Sequence, residues 1–200
     1  MQIVIASSNL GKIREFREMF RSLSQKVDLL SLINFPDYIP LEEEGDTFEQ
    51  IAENKAKHAA IALKQWVIAD DSGLVVPALG GAPGIYSRRY AAATGASDGD
   101  NLNKLLAAMA EMAEEQRHAY FVCALAIASA EGYCKVFTGH CEGILLAGPR
   151  GRHGFGYDPI FVKHDYEKTF AELDEATKNR ISHRRKAFEK LAIVLETVSL

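Results

Sequence analysis

The segment Ser7-Ser8-Asn9-Leu10-Gly11-Lys12 follows an apolar opening, Gln2-Ile3-Val4-Ile5-Ala6, and precedes a stretch of helical periodicity. A strand that turns through hydroxyl, amide and glycine residues into a helix gathers unpaired amides and the positive end of the helix dipole at one point, where an anion is stabilised. Lys12 sharpens the reading. A cation in a first helical turn opposes the macrodipole and costs a few tenths of a kcal/mol unless something negative, such as a bound phosphate, sits beside it. The segment is not a P-loop, because that pattern needs glycine where Ala6 stands and a hydroxyl residue where Ile13 stands. Taken alone, it also fits an ordinary capped strand-to-helix turn.

Acidic residues fall in two separated places, Glu42-Glu43-Glu44 and Asp70-Asp71. Magnesium that handles phosphates takes one or two protein carboxylates and keeps several waters, so distant acidic segments can converge on one ion. Successive strand residues point to opposite faces, so only one of Asp70 and Asp71 is expected at the metal. Asp71 is favoured because Ser72 and Gly73 follow it with a hydroxyl and a site of close backbone approach. An acidic pair directly after Trp66-Val67-Ile68-Ala69 is poorly placed for mere solubility.

Phe155-Gly156-Tyr157-Asp158 offers ring faces and a glycine, which suits stacking on a flat base, although rings also build cores. Lys178, His183 and Arg184 surround the expected start of the last helix. Histidine and arginine can donate to the 6-oxo group of hypoxanthine, xanthine or guanine, whereas the 6-amino group of adenine would leave those donors unpaired.

These residues need a scaffold of strands and helices. Residues 1–6 and 27–30 read as strands, with an amphipathic helix between them in which Ile13, Phe16, Phe20 and Leu23 form the apolar face and Arg14, Glu15, Arg17, Glu18 and Arg21 fill the others. Thr47 is the expected cap of a helix over 48–64, and a short strand over 66–69 is expected to end at Asp70. A helix over 98–112, strands over 119–129 and 133–146, a glycine-rich loop over 148–158 and a final helix over 182–198 complete an α/β chain. With 200 residues and no linker or repeat, one domain is expected, with the two long strands as a possible second lobe. A net charge of −4 argues against a nucleic-acid polymer as partner. No apolar run approaches the roughly 20 residues of a membrane span, so no membrane partner is expected. The three cysteines form no Cys-x-x-Cys pair, which fits a reducing cytoplasm.

Over almost its whole length the chain resembles the inosine/xanthosine triphosphate pyrophosphatase family. The resemblance rests on six motifs in order: residues 7–12; Glu42-Glu43 before Gly45-Asp46-Thr47-Phe48; Ala69-Asp70-Asp71-Ser72-Gly73-Leu74; Gly80-Gly81-Ala82-Pro83-Gly84-Ile85-Tyr86-Ser87; Gly154-Phe155-Gly156-Tyr157-Asp158-Pro159; and Ser182-His183-Arg184. It implies a mixed, twisted sheet with flanking helices, two lobes and a central cleft, usually as a homodimer. The implied activity is hydrolysis of ITP, dITP or XTP to monophosphate and pyrophosphate with Mg2+. Ser7, Ser8, Asn9, Leu10, Gly11, Lys12 and Lys55 would hold the triphosphate. Glu42 or Glu43 with Asp71 would bind magnesium, and Asp71 would accept the proton of the attacking water. Ser72, Phe155, Gly156, Tyr157, Asp158, Lys178, His183 and Arg184 would contact the nucleotide.

One departure is plain. Where the family usually reads Thr-Phe-x-Glu-Asn-Ala, this chain has Thr47-Phe48-Glu49-Gln50-Ile51-Ala52, with Glu53-Asn54 displaced by three residues. The change falls on the residues behind the glutamates. It leaves open a nucleotide-binding sensor that has lost catalysis. A pyrophosphatase for modified pyrimidine triphosphates is a third reading, against which the 155–158 and His183-Arg184 motifs argue.

Overall fold

The first strand, β1 (Gln2–Ile5), feeds α1 (Leu10–Arg21) through the Ser7 to Asn9 turn, and Asn9 caps the helix by accepting from the Lys12 amide at 3.1 Å. Ile13, Phe16, Met19 and Phe20 bury one stripe of α1, and the chain returns as β2 (Asp28–Ser31). Thr47 caps α2 (Phe48–Leu63) by accepting from the Gln50 amide, and Lys64 ends the helix in a left-handed conformation, with φ of 53°. There follow β3 (Trp66–Val75), α3 (Asp98–Ala108), β4 (His118–Ala128), β5 (Cys134–Leu145), β6 (Phe161–Lys163), α4 (Glu175–Ile181) and α5 (His183–Thr197). The computed structural model describes residues 2–24, 26–42 and 44–197. None of the described helices is long and apolar enough to cross a membrane.

The strands form one mixed sheet in the order β2-β1-β3-β4-β5-β6. β1 runs parallel to β2, with Val4 opposite Leu30, and parallel to β3, with Val4 opposite Val67; β5 runs antiparallel to β6, with Ile144 opposite Val162. The mixed α/β class implied by the resemblance is the class observed. Three details differ from the sequence expectation. β3 does not stop at Ala69 but continues through Asp70 and Asp71 to Val75, because both carboxylates meet cations and the strand can stay buried. β6 has only 3 residues, too few to show a period of two. The short helix α4 rests on Asp174 as its cap, with Asp174 Oδ1 accepting from the Thr177 amide at 2.8 Å.

The chain gathers into two compact units, the first from residues up to 71, 123–139 and 184 onward, the second from 72–122 and 140–183. In the first, side chains alternate across the sheet. Ile3, Ile5, Ile68, Leu125 and Ile127 pack with α1 and with Ala187, Phe188, Leu191 and Leu195 of α5. Val4, Val67, Ala69, Ala124, Ala126 and Ala128 face the opposite way, onto Ala52, Ala56, Ala59 and Ala60 of α2. Strands buried on both faces read as continuous apolar runs, which is why residues 120–128 look uniformly apolar in sequence.

Ala126 is fully buried on the alanine face. Ala126→Leu is expected to destabilise the protein by about 1–3 kcal/mol through overpacking. A urea midpoint equal to that of the wild type would show that this face is not close-packed.

The second unit has its own core, in which Leu74, Leu102, Leu105, Met109, Phe121, Leu145, Tyr157, Phe161 and Phe170 come together. Phe121 meets Phe161 edge to face at 4.7 Å between ring centroids and stacks on His183 at 4.8 Å.

Candidate active site

In the first unit, Asp70 and Asp71 occupy successive positions of β3 and therefore leave the strand on opposite faces. Asp70 shares its face with Ile68, toward α1 and α5, and its Oδ2 lies 3.0 Å from Lys12 Nζ and 3.4 Å from Arg184 Nε. Asp71 shares its face with Ala69, toward α2, and its Oδ1 lies 3.2 Å from Lys55 Nζ. Both carboxylates are buried, and both lysines keep part of their side chains open to solvent.

Lys12 meets its negative partner within the protein. A negative group was required to offset the clash with the helix dipole, and the protein supplies one itself in Asp70. Ser7 and Asn9 shape the turn. Ser7 Oγ accepts from the Asn9 amide at 3.2 Å, Asn9 Oδ1 accepts from the Lys12 amide, and the Ala6 amide donates to the Ile68 carbonyl at 2.7 Å. Ser8 and Leu10 are exposed and Gly11 is half-buried.

Arg184 is 1% exposed and is held by Glu15 as well as by Asp70. Burial by itself would lower the pKa of the guanidinium, but the adjacent Glu15 and Asp70 carboxylates outweigh it and hold the group above its ordinary value. Helical periodicity assigns Glu15 to the solvent face of α1, whereas the structure leaves it only 4% exposed. A buried carboxylate is tolerated because a cation 169 residues away in the sequence reaches it, and spacing alone carries no signal of that pairing. The expected His183-Arg184 donor pair is divided: Arg184 turns to Glu15 and Asp70, while His183 lies in the second unit against Phe121.

Glu42 is exposed, and Glu43 lies outside the described residues. The altered 47–54 segment holds the acidic turn by its side chains. Gln50 Oε1 accepts from the Asp46 amide at 2.9 Å, and Asn54 Nδ2 donates to the Glu44 carbonyl at 3.0 Å. The displaced Asn54 thus still braces the segment that carries the glutamates.

Among the described residues, no three or more His, Cys, Asp or Glu side chains gather as a ligand set. Of the two β3 carboxylates, Asp71 offers a hard carboxylate oxygen on the α2 face, of the kind magnesium takes one or two at a time while phosphates and water complete its shell. The residues therefore fit a magnesium ion that shares ligands with a substrate, rather than one caged by protein alone.

In the second unit, Asp158 is the hub of the 154–158 loop. Its Oδ2 accepts from the Phe155 amide at 2.8 Å and from Lys178 Nζ at 2.5 Å. Lys178 also lies 4.6 Å from the centroid of the half-buried Phe155 ring. Gly154 has φ of +77°, and a Cβ there would come within 2.1 Å of Asp158 Oδ2, so the hub and its glycine require each other. Tyr157, 4% exposed, belongs to the core, and its hydroxyl donates to the Ser87 carbonyl at 2.8 Å. Burial, with the nearby Tyr90 and Asp98, pushes the Tyr157 phenol up. Ser72 is half-buried where the chain enters this unit.

The chain is thus a mixed α/β protein in which two buried carboxylates on one strand meet Lys12 of α1 and Lys55 of α2. The chain belongs to the Ham1 family, whose model matches residues 3–194. It is 54% identical over 199 residues to the dITP/XTP pyrophosphatase of Protochlamydia amoebophila, covering 99% of each chain. Solved structures are similar to it as well. The Ham1 protein of Staphylococcus aureus is 43% identical with a TM-score of 0.85 and 98% of each chain covered. A HAM1 protein from Coxiella burnetii is 38% identical with a TM-score of 0.88, over 99% of this chain and 100% of that one.

Proposed function

We propose that the protein hydrolyses non-standard purine nucleoside triphosphates, ITP, dITP and XTP, to the monophosphate and pyrophosphate. The full-length similarity to a dITP/XTP pyrophosphatase supports the reaction class, a phosphoanhydride hydrolysis. The observation that carries the mechanism is Asp71 on β3 against Lys55, beside Asp70 against Lys12. In this reading Asp71 accepts a proton from water whose oxygen attacks the α-phosphorus. The bond from that phosphorus to the bridging oxygen breaks, and pyrophosphate leaves with its charge offset by Lys12 and Lys55. Residues 7–12 hold the triphosphate with the helix end behind them. When bound, magnesium would be held by Asp71 with Glu42 or Glu43 and would withdraw charge from phosphate oxygens.

At the base end, Phe155 supplies a stacking face, Gly156 a close approach, and His183 and Lys178 donors for the 6-oxo group, with Ser72, Tyr157 and Asp158 shaping the surroundings. Arg184 serves through Asp70 and Glu15. We further propose a homodimer that works in the cytoplasm.

Pyrophosphate release across a panel of ITP, dITP, XTP, GTP, ATP and modified pyrimidine triphosphates tests the reading. ITP and XTP are expected to exceed ATP in kcat/KM by about 10²-fold or more, since unpaired donors penalise the 6-amino group. EDTA is expected to abolish turnover and excess magnesium to restore it. No pyrophosphate from any purine would favour the sensor, and faster turnover of pyrimidines would favour the third reading.

A further inference from the structure

We infer that the first turn of α3 positions the base-binding loop, with Asp98 as the positioning residue that sets nucleotide affinity; this rests on the assignment of residues 155–158 to the base. Asp98 Oδ2 accepts from the Gly156 amide at 2.8 Å, across 58 residues of sequence. The carboxylate has no part in capping its own helix. That role belongs to Ser97, whose Oγ accepts from the Asp100 amide at 3.1 Å while the Ser97 amide donates to Asp100 Oδ2 at 2.9 Å. Asp98 is thus committed to the loop.

The loop needs an outside tether at this point. Gly156 has φ of +61°, and its immediate neighbours are fixed differently, the Phe155 amide by Asp158 and the Tyr157 hydroxyl by Ser87. Between them, the Gly156 amide sits next in sequence to the half-buried Phe155 ring assigned above to the base, and Asp98 fixes its direction.

The same turn holds the loop a second time, indirectly. Asn101, 2% exposed, accepts from the Ala91 amide at 2.7 Å and donates to the Arg88 carbonyl at 2.9 Å. It thereby fixes the 3-10 segment Gly84–Arg89, whose Ser87 carbonyl receives the Tyr157 hydroxyl and whose Ser87 Oγ accepts from the Leu74 amide at 2.9 Å. Asp98 and Asn101, three residues apart on α3, therefore govern two supports of the loop, the Gly156 amide and the Tyr157 hydroxyl, beside the Asp158 hub.

The test compares steady-state kinetics of Asp98→Ala, Asp98→Asn and Phe155→Ala with ITP, and inhibition by inorganic tripolyphosphate, which has no base. Asp98→Ala is expected to raise KM for ITP about tenfold, the loss of one charge-assisted hydrogen bond, with kcat within about twofold. The tripolyphosphate inhibition constant is expected to stay within about twofold. Asp98→Asn is expected to recover most of the affinity, because its amide oxygen still accepts from Gly156. Phe155→Ala separates the two layers of the argument. If it raises KM while Asp98→Ala does not, the positioning role is wrong and the base assignment survives. If Phe155→Ala leaves KM unchanged, the base assignment itself fails and this inference falls with it. Equal loss of ITP and tripolyphosphate binding in Asp98→Ala, or an Asp98→Asn variant as weak as Asp98→Ala, would also overturn it.

Discussion

Asp71→Asn is expected to cut the rate of pyrophosphate release from ITP by about 10²- to 10⁴-fold, the range for loss of a positioned proton acceptor. The substitution keeps the shape of the side chain and one oxygen able to accept from Lys55, so β3 and α2 should remain as they are. What it removes is the capacity to take a proton and the negative charge that faces the lysine. Binding of ITP, measured by equilibrium titration, is expected to change by only a few-fold, because the residue 7–12 turn and the 154–158 loop are untouched. Turnover within about threefold of wild type would remove Asp71 from the reaction. Loss of ITP binding in step with turnover would recast it as a binding residue.

The largest effect on stability is expected from Arg184→Ala. Glu15 and Asp70 are both nearly sealed from solvent, and Arg184 reaches both. Removing one partner from a buried ionic group leaves uncompensated charge in a low-dielectric interior, at a cost of about 3–5 kcal/mol. For a chain of this size each kcal/mol shifts Tm by roughly 2–4 °C, so a fall on the order of 10 °C should appear in a thermal melt. Adding Glu15→Gln to that background removes one of the stranded charges and is expected to return part of the loss. A single variant that melts within about 2 °C of wild type would show that water or rearrangement satisfies the carboxylates instead.

How much of this was legible in the sequence depends on the range of the interactions concerned. The Asn9 and Thr47 caps, the apolar stripe of α1 and the opposed directions of Asp70 and Asp71 all follow from local rules, and all are present. The mixed direction of the sheet came from the family resemblance. What no spacing rule reveals is which charge meets which across the fold. Glu15 looks like one more solvent-facing residue until Arg184 is brought to it. Asp98 looks like a favourable acid in a first helical turn until its carboxylate is seen on the Gly156 amide. Lys55 has no local feature that points to Asp71. Conversely, Tyr157 advertises a stacking ring in its motif, yet its ring is used by the core and only its hydroxyl reaches the loop scaffold.

The alanines between α2 and the sheet bear on a charged pair. Lys55 stands on α2 between Ala52 and Ala56, which rest with Ala59 and Ala60 against Ala69 and the alanines of β4, while Asp71 leaves β3 two residues beyond Ala69. The helix therefore meets the sheet through the smallest side chains available, on the same face on which the lysine meets the carboxylate at 3.2 Å. Enlarging the methyl group at residue 126, which belongs to that packed face, is therefore expected to disturb the Lys55–Asp71 pair without altering a single charged residue.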